Sequence, residues 1–598
     1  MKKRKSKLTN QQILSQPLSP NSSDNTNGIT QFLTEPTGLF LMGMLGLITT
    51  LKVFDSQGKK KNILAKARWG GEKEKRKALA VAMKQIEKRK RNPIALYLDR
   101  PRAISKTPLM LPDMNRGSVV VGSPGTGKTI SSFLPMIYSG IDQEFPMVIY
   151  DFKYPDLTEQ VVGLAAKRGY NIHIFAPGYK ESKICNPLDF IDKENPSLMA
   201  AQFAEVLNRN FKGEDSKGED QFFKKASDML VKGILMLAKE TDFPDLLTCD
   251  TLLGLSSLTD RLQFHQGKIR ELTYRAFASL IASAGSEKTV AGIIASATNN
   301  FSSMMIPEIL ASLTGKTDLP IEVTGKTMII LGLDQEKRDV LTPILALILD
   351  LMIARNVRFK RKDPLLLFLD ECPTLYLPRL PNWLNEFRSK GLCTILGIQN
   401  IVQMEHKYGK ELTRAILGGC NTKIWYNPQD YESAKLLSDS LGNEEVKYKQ
   451  RSRTTGGKGS TSISEQLQSR PLFSADECLR LQTGERIITS PGYQTSKEAY
   501  IPIRDQVVIN DDCVVSPLFT KTLNESTDLW VSCQEKLSHQ SSQQPIGDDY
   551  MRQRRLVLEE VYALPKDHQQ GQGKGKGKNT IVDRVKQAKA SSTDHIQT

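Results

Sequence analysis

The stretch Ser118–Pro135, SVVVGSPGTGKTISSFLP, constrains this chain more than any other. β-Branched residues run into a glycine-rich turn, then Lys128 and Thr129, then a segment of helical character. Gly122, Ser123, Pro124, Gly125, Thr126, Gly127, Lys128 and Thr129 fit the spacing G-x-x-x-x-G-K-[ST]. In such a loop successive backbone N–H groups and a helix N-terminus point at phosphate oxygens, and only small residues allow that approach. The lysine reaches the β and γ phosphates and the hydroxyl after it ligates Mg²⁺, so ATP and Mg²⁺ are the expected cofactors.

A phosphate loop of this kind works with a carboxylate at the end of a neighbouring buried strand. PLLLFLDE (Pro364–Glu371) provides one, with five apolar residues leading to Asp370 and Glu371. Asp370 is expected to hold Mg²⁺ through water, and Glu371 to polarise the attacking water. Gln399 ends the strand-like run LCTILGIQ and is a candidate to orient that water. Arg379, Arg388 and Arg414 are candidates for a cation that neutralises transition-state charge. Spacing does not choose among the three.

The remaining apolar runs set the fold class. PMVIYD (Pro146–Asp151), YNIHIF (Tyr170–Phe175), KTMIILGL (Lys326–Leu333) and NTKIWYN (Asn421–Asn427) are short and separated by helical or polar stretches. Runs of this length point to an α/β fold with a parallel sheet covered on both faces. Between about 196 and 312 apolar residues recur instead at helical spacing, with Phe222, Ala226, Met229, Gly233 and Leu237 on one face. That region is expected to be an all-helical insertion, after which the sheet is completed.

At 598 residues the chain exceeds one core. The expected division is a disordered tail over 1–36, a candidate transmembrane helix over 37–54 and a basic juxtamembrane segment over 55–109. The P-loop domain follows in two parts, 110–195 and 313–505, around the insertion at 196–312. A largely disordered extension, basic at its end, is expected over 506–598, and Arg451–Gln466 reads as a mobile loop.

The net charge of +16 favours an anionic partner, nucleic acid or acidic lipid. The eight cysteines are scattered without a CxxC pair, which speaks against a disulfide framework or a zinc site. Thr37–Leu51 is uncharged, but fifteen residues at about 1.5 Å each fall short of a hydrocarbon core of roughly 30 Å. It is read as a marginal span, with an interior helix as the other reading. Fifteen Lys or Arg against four acids from Lys52 to Arg91 favour the span, with this flank on the cytoplasmic side.

The order of the P-loop, VIYDFKYPDL, NPLDFI (Asn186–Ile191), a helical insertion, LFLDECPTL, FRSKGLCTILGIQ and RPLFSADECLRLQTGERIITSPG resembles the coupling-protein ATPases of type IV secretion and conjugation. ARWGGEKEK (Ala67–Lys75) resembles the same family, and the likeness covers roughly 65 to 505. The resemblance implies a RecA-like P-loop motor domain with an inserted all-helical domain and an N-terminal anchor, assembled as a homo-hexamer. It implies a single-stranded DNA partner with its relaxase, and type IV secretion channel components. It places the chain at a bacterial inner membrane, here as a single-pass protein with the motor in the cytoplasm. By position, Arg388 matches the family's arginine finger and Gln399 its glutamine after the strand. Two departures stand out. The family's Asp-Pro-Lys-Gly-Glu motif reads Asp151-Phe-Lys153-Tyr-Pro-Asp156 here, and one candidate membrane helix stands where two are common. Two other readings are a chromosome-partitioning double-stranded DNA translocase and a substrate receptor that uses nucleotide only for assembly.

Overall fold

The computed structural model describes residues 67–88, 93–98, 109–212, 221–454, 460–507, 509–510, 513–514 and 517–564. Its centre is a nine-stranded sheet. In chain order the strands are β1 (Ser118–Val121), β2 (Met147–Asp151), β3 (Asn171–Phe175), β4 (Thr327–Gly332), β5 (Leu365–Leu369), β6 (Leu392–Ile398), β7 (Thr422–Trp425), β8 (Glu485–Thr489) and β9 (Ile503–Gln506). Their spatial order is β9-β8-β7-β1-β6-β5-β2-β4-β3. Neighbours from β7 to β3 pair in parallel, while β8 pairs antiparallel with both β7 and β9.

The apolar runs become central strands because both faces of the sheet are covered. Along β5, Leu365, Leu367 and Leu369 enter one core, while Leu366 and Phe368 enter the core on the other face. Helix Arg338–Asn356 and the helices between β3 and β4 belong to the first core. Helices Leu134–Asp142 and Asp156–Lys167 belong to the second.

Between β3 and β4 the chain holds the long helices Pro196–Lys212, Gln221–Glu240 and Glu287–Ser302, with shorter ones among them and no strand among the described residues. In Gln221–Glu240 the expected apolar stripe is only partly buried. Phe222 and Met229 are exposed, whereas Ala226, Leu230, Val231, Ile234 and Leu237 are buried. The helix packs against both Pro196–Lys212 and Glu287–Ser302, so its covered surface is rotated and wider than one stripe.

Three expectations need correction. The single-pass membrane location is not supported: among the described residues no helix is long and apolar enough to cross a membrane. The most apolar long helix, Arg338–Asn356, carries Arg338, Asp339, Asp350 and Arg355 and is spent on the core. The candidate span 37–54 and the tail 1–36 lie outside the described residues. Much of the extension over 506–598 is not disordered: helices Pro517–His539 and Asp548–Val561 are docked on the rest of the fold, while 565–598 lie outside the described residues. Finally, Arg451–Gln466 is no simple loop. Strands Asn443–Thr454 and Ser460–Pro471 form a two-stranded sheet of their own, with 455–459 outside the described residues.

The basic segment before the sheet contains helix Glu72–Lys88, whose Ala78 and Ala82 are buried. Gly70 precedes it at a point where a Cβ would meet Ile503 Cδ1 at 2.6 Å, and its N–H donates to the Pro502 carbonyl at 2.8 Å. The glycine in ARWGG therefore lets the chain lie against β9.

Pro517–His539 runs along Asp156–Lys167. A Cβ at Gly163 would lie 2.3 Å from the Ser526 carbonyl oxygen, and the Leu164 N–H donates to Ser526 Oγ at 3.2 Å. Asp548–Val561 then reaches helix Leu246–Leu253, where buried Arg554 donates to both oxygens of Asp245 at 3.0 and 2.9 Å.

Candidate nucleotide site

Sheet register gathers the chemistry at one edge. Val121 is paired with Ile398 on one side and Trp425 on the other, and Leu369 is paired with both Tyr150 and Leu396. The residues just past these pairs, Gly122, Asp370, Asp151 and Gln399, therefore share the carboxyl ends of neighbouring parallel strands.

The loop Gly122–Thr129 is held from several directions. The Gly122 N–H donates to the Ile398 carbonyl at 3.1 Å and the Ser123 N–H to the Asn427 carbonyl at 3.0 Å. Ser123 Oγ donates to the Pro428 carbonyl at 2.6 Å, and Thr126 Oγ1 folds back on the Ser123 carbonyl at 2.7 Å. Gly484, just before β8, donates to the Thr126 carbonyl at 3.0 Å. At Gly122 a Cβ would meet Tyr426 Cβ at 2.7 Å, and Gly125 and Gly127 have φ of 78° and 89°. The motif's glycines are thus required by close approach at one position and by left-handed backbone at two others. Pro124 sits at the tip of the turn.

Lys128 and Glu371 meet: Nζ lies 3.3 Å from Glu371 Oε2, with both side chains nearly buried. Glu371 Oε1 and Asp370 Oδ1 are buried without a hydrogen-bond partner. Burial raises the pKa of Glu371, the Lys128 charge pulls against it, and Asp370 adds to it. Burial likewise raises Asp370, against the pull of Lys128 and of Lys153, while the Thr129 hydroxyl favours its ionised form. Gln399 also interacts with the Glu371 carboxylate. Lys128, Thr129, Asp370, Glu371 and Gln399 therefore lie together, and Thr129 and Asp370 could hold a divalent cation.

Asp151 is occupied differently. Its Oδ2 accepts from the N–H groups of Leu157 (3.1 Å) and Thr158 (2.9 Å) and from Thr158 Oγ1 (2.7 Å). Burial, opposed by these donors, pushes its pKa up to about 7. The carboxylate is spent on the first turn of helix Asp156–Lys167. Lys153 is exposed, yet its charge is felt at Asp370.

The three arginines separate. Arg379 is committed to Asp350, with Nε 3.1 Å from Oδ1, and to Gln202 at 3.1 Å, joining two helices of the interior. Arg414 is exposed on helix Ile401–Gly419. Arg388 is exposed in the turn Phe387–Lys390, which precedes the N-terminal end of β6. The seven residues of β6 place it about 20 Å from the phosphate-loop edge, at roughly 3.3 Å per residue. It is not brought to Lys128 of its own chain.

Some contributors were not apparent beforehand. Gly397 in β6 lets that strand pass β5, since a Cβ there would lie 2.0 Å from the Asp370 carbonyl oxygen. A glycine inside an apolar strand was its signal. Thr374 Oγ1 donates to the Glu371 carbonyl at 2.6 Å and lies 2.8 Å from Tyr150 Oη, which fixes the backbone beneath the carboxylate. Arg486 in β8, fully buried, reaches the helix that follows the loop.

A family model described as "Type IV secretory system Conjugative DNA transfer" matches residues 75–500. Coupling protein TraD of Escherichia coli (strain K12) is 33% identical over 79 residues, 13% of this chain and 11% of TraD. Conjugal transfer protein TraG of Rhizobium radiobacter is 26% identical over 213 residues, 34% of this chain and 33% of that protein. The chain thus matches a third or less of the length of these curated relatives. The unbound monoclinic form of the bacterial conjugative coupling protein TrwBdeltaN70 superposes with TM-score 0.53 at 16% identity, covering 72% of this chain and 97% of that one. The plasmid coupling protein TrwB in complex with ADP and Mg²⁺ gives TM-score 0.52 at 16% identity, with 72% and 98% covered. At that identity the likeness is one of fold.

Proposed function

The chain belongs to the type IV secretory system conjugative DNA transfer family, whose model spans 75–500 of its 598 residues, and on that premise we propose that it is a coupling protein hydrolysing ATP to drive DNA into a conjugation channel. One observation carries the reading. A nearly buried Lys128–Glu371 pair stands beside Thr129 and Asp370, and both acids keep a buried oxygen without a partner. Buried polar atoms generally find a partner, and a ligand held beside Lys128 and Thr129 would complete these two. The cradle fits a phosphate chain with its divalent cation.

Bound MgATP would supply a phosphoryl group for transfer to water and the cation that spreads its charge. The rest is the work of side chains. The N–H groups of Gly122–Thr129 would bind phosphate oxygens, and Lys128 would turn from Glu371 to the β and γ phosphates. Glu371 then loses its cation and takes a proton from the attacking water at its carboxylate. Burial, which raises its pKa, makes it the stronger base. Gln399, next to it, would orient the same water. Thr129 and Asp370 would hold the cation.

The position of Arg388 fits assembly. About 20 Å from its own phosphate loop, it would act in a neighbouring subunit's site, as in a ring, and a homo-hexamer is the arrangement proposed. The surplus of 82 Lys and Arg over 66 Asp and Glu suits a phosphate backbone. Single-stranded DNA carrying its relaxase is the proposed cargo.

The test is DNA transfer from donor cells whose own copy is replaced by the wild-type chain or by Lys128→Ala. Transfer is expected with the first and lost with the second at equal protein level. Undiminished transfer by Lys128→Ala would refute the reading.

A further inference from the structure

Directly after Lys128 the helix is not α-helical. Thr129–Phe133 forms a π turn, in which the Leu134 N–H donates to the Thr129 carbonyl, before the α-helix Leu134–Asp142 begins. The sequence supplies the cause. In an α-helix the carbonyl of Ser131 would accept from residue 135, which is a proline. Proline has no N–H, and its ring crowds the carbonyl four residues before it. The turn widens, and π turns of this kind recur at functional sites.

The Ser131 carbonyl is taken by a side chain from far along the chain. Arg486, fully buried in β8, donates to it through one terminal nitrogen, which also lies 3.5 Å from Ser132 Oγ. The other donors go to Asp505 Oδ2 on β9, at 3.0 and 2.8 Å. Ser132 Oγ in turn lies 2.7 Å from Tyr426 Oη, and the same tyrosine packs on Gly122. One guanidinium fork therefore ties the antiparallel edge of the sheet to the turn that begins at Thr129.

We propose that Arg486 is a positioning residue: by occupying the carbonyl that Pro135 leaves without an α-helical donor, it holds the π turn open and aims the Thr129 hydroxyl at the cation shared with Asp370. This rests on the nucleotide-site reading above. Arg486 touches no phosphate; it acts through Ser131 and Thr129. A lysine could replace the charge opposite Asp505 but not the fork, since one ammonium cannot reproduce the planar donor geometry.

The experiment is equilibrium binding of a fluorescent ADP analogue to the full chain, with Mg²⁺ and with EDTA, beside thermal unfolding without nucleotide. The informative quantity is the gain in affinity that Mg²⁺ provides. Arg486→Met and Thr129→Ala are each expected to reduce that gain about tenfold, the size of a single lost hydrogen bond to a charged group. The double variant is expected to lose no more than either, because both act on one hydroxyl. Arg486→Lys is expected to recover thermal stability without recovering the gain.

Where Arg486→Met folds poorly, Pro135→Ala/Arg486→Met carries the test. The restored N–H gives the Ser131 carbonyl its helical donor, so stability is expected to return while the Mg²⁺ gain stays lost. If the gain returns together with stability, or if Arg486→Met and Thr129→Ala add independently, Arg486 is only a structural tie and the proposal falls. If the wild-type chain binds no nucleotide, the site reading fails first and takes the proposal with it.

Discussion

Lys128 Nζ lies 3.3 Å from Glu371 Oε2, joining the phosphate loop after β1 to the carboxyl end of β5. On the proposed function the pair is a resting contact, and each partner would take up other work when phosphate arrives. Burial already lifts Glu371, and losing Lys128 to a phosphate removes the charge that opposes the lift. A general base works only when ionised, so turnover should fall as pH drops through this raised pKa. The acidic limb of the kcat profile is expected above the ordinary glutamate value of about 4.3. A limb at or below that value would remove Glu371 from the role of base.

Gly397 is the narrowest point of the site's scaffold. A methyl group there would lie 2.0 Å from the Asp370 carbonyl oxygen and 2.9 Å from Phe133 Cζ. Gly397→Ala must push β5 and β6 apart, at a cost of about 1–3 kcal/mol for overpacking. Nucleotide affinity should fall with stability, since Asp370 moves with its carbonyl. Thermal unfolding and ADP titration measure the two. Unchanged affinity in a destabilised variant would separate the scaffold from the site.

Arg388 makes a prediction about assemblies rather than chains. Arg388→Ala and Lys128→Ala should each lack turnover alone, the first missing a donated cation and the second its own phosphate ligand. Mixed together and allowed to assemble, they should recover part of the activity, because some interfaces then pair an intact loop with an intact arginine. The check is phosphate release across mixing ratios. A mixture as silent as its components would place Arg388 outside the neighbour's site.

Arg554 anchors the second C-terminal helix. It donates to both Asp245 oxygens and to Thr248 Oγ1 at 2.7 Å, and its guanidinium lies 4.2 Å from the Phe243 ring centroid. Asp245 also caps helix Leu246–Leu253 through the Thr248 N–H at 2.9 Å. Arg554→Ala strands that carboxylate in the interior, and breaking such a pair costs about 3–5 kcal/mol. Hydrogen exchange over 548–561 should accelerate accordingly. Protection equal to wild type would mean that the helix is held elsewhere.

The seven parallel strands were legible as short apolar runs: central ones such as LLLFL of β5 are buried on both faces, and even the edge strand β3, NIHIF, keeps its apolar residues Ile172, Ile174 and Phe175. The antiparallel edge was not. β8, ERIIT, places Arg486 in its second position, and a charged residue in a strand reads as solvent-facing until Asp505 and the Ser131 carbonyl are seen around it. The helix Pro517–His539 escaped for a related reason. Among its residues of described burial, 523–539, it buries few large side chains, Trp530 and Leu537 among them, and it fits closely where Gly163 meets Ser526, a contact that neither segment announces alone. Lys128, Glu371 and Asp370 could be read because spacing and a preceding strand define them. Arg388 could be matched by resemblance, but its position at the far edge needed the fold.

The most direct measurement is steady-state phosphate release by wild type and Glu371→Gln, with and without single-stranded DNA, beside ADP binding by both. DNA is expected to stimulate the wild type. Glu371→Gln should bind ADP with Mg²⁺ as the wild type does, yet turn over about 10²–10⁴-fold more slowly, the range for a lost general base. Wild-type-like turnover by Glu371→Gln, or an assembled wild type that hydrolyses ATP with indifference to DNA, would contradict a DNA-transfer motor run from this site.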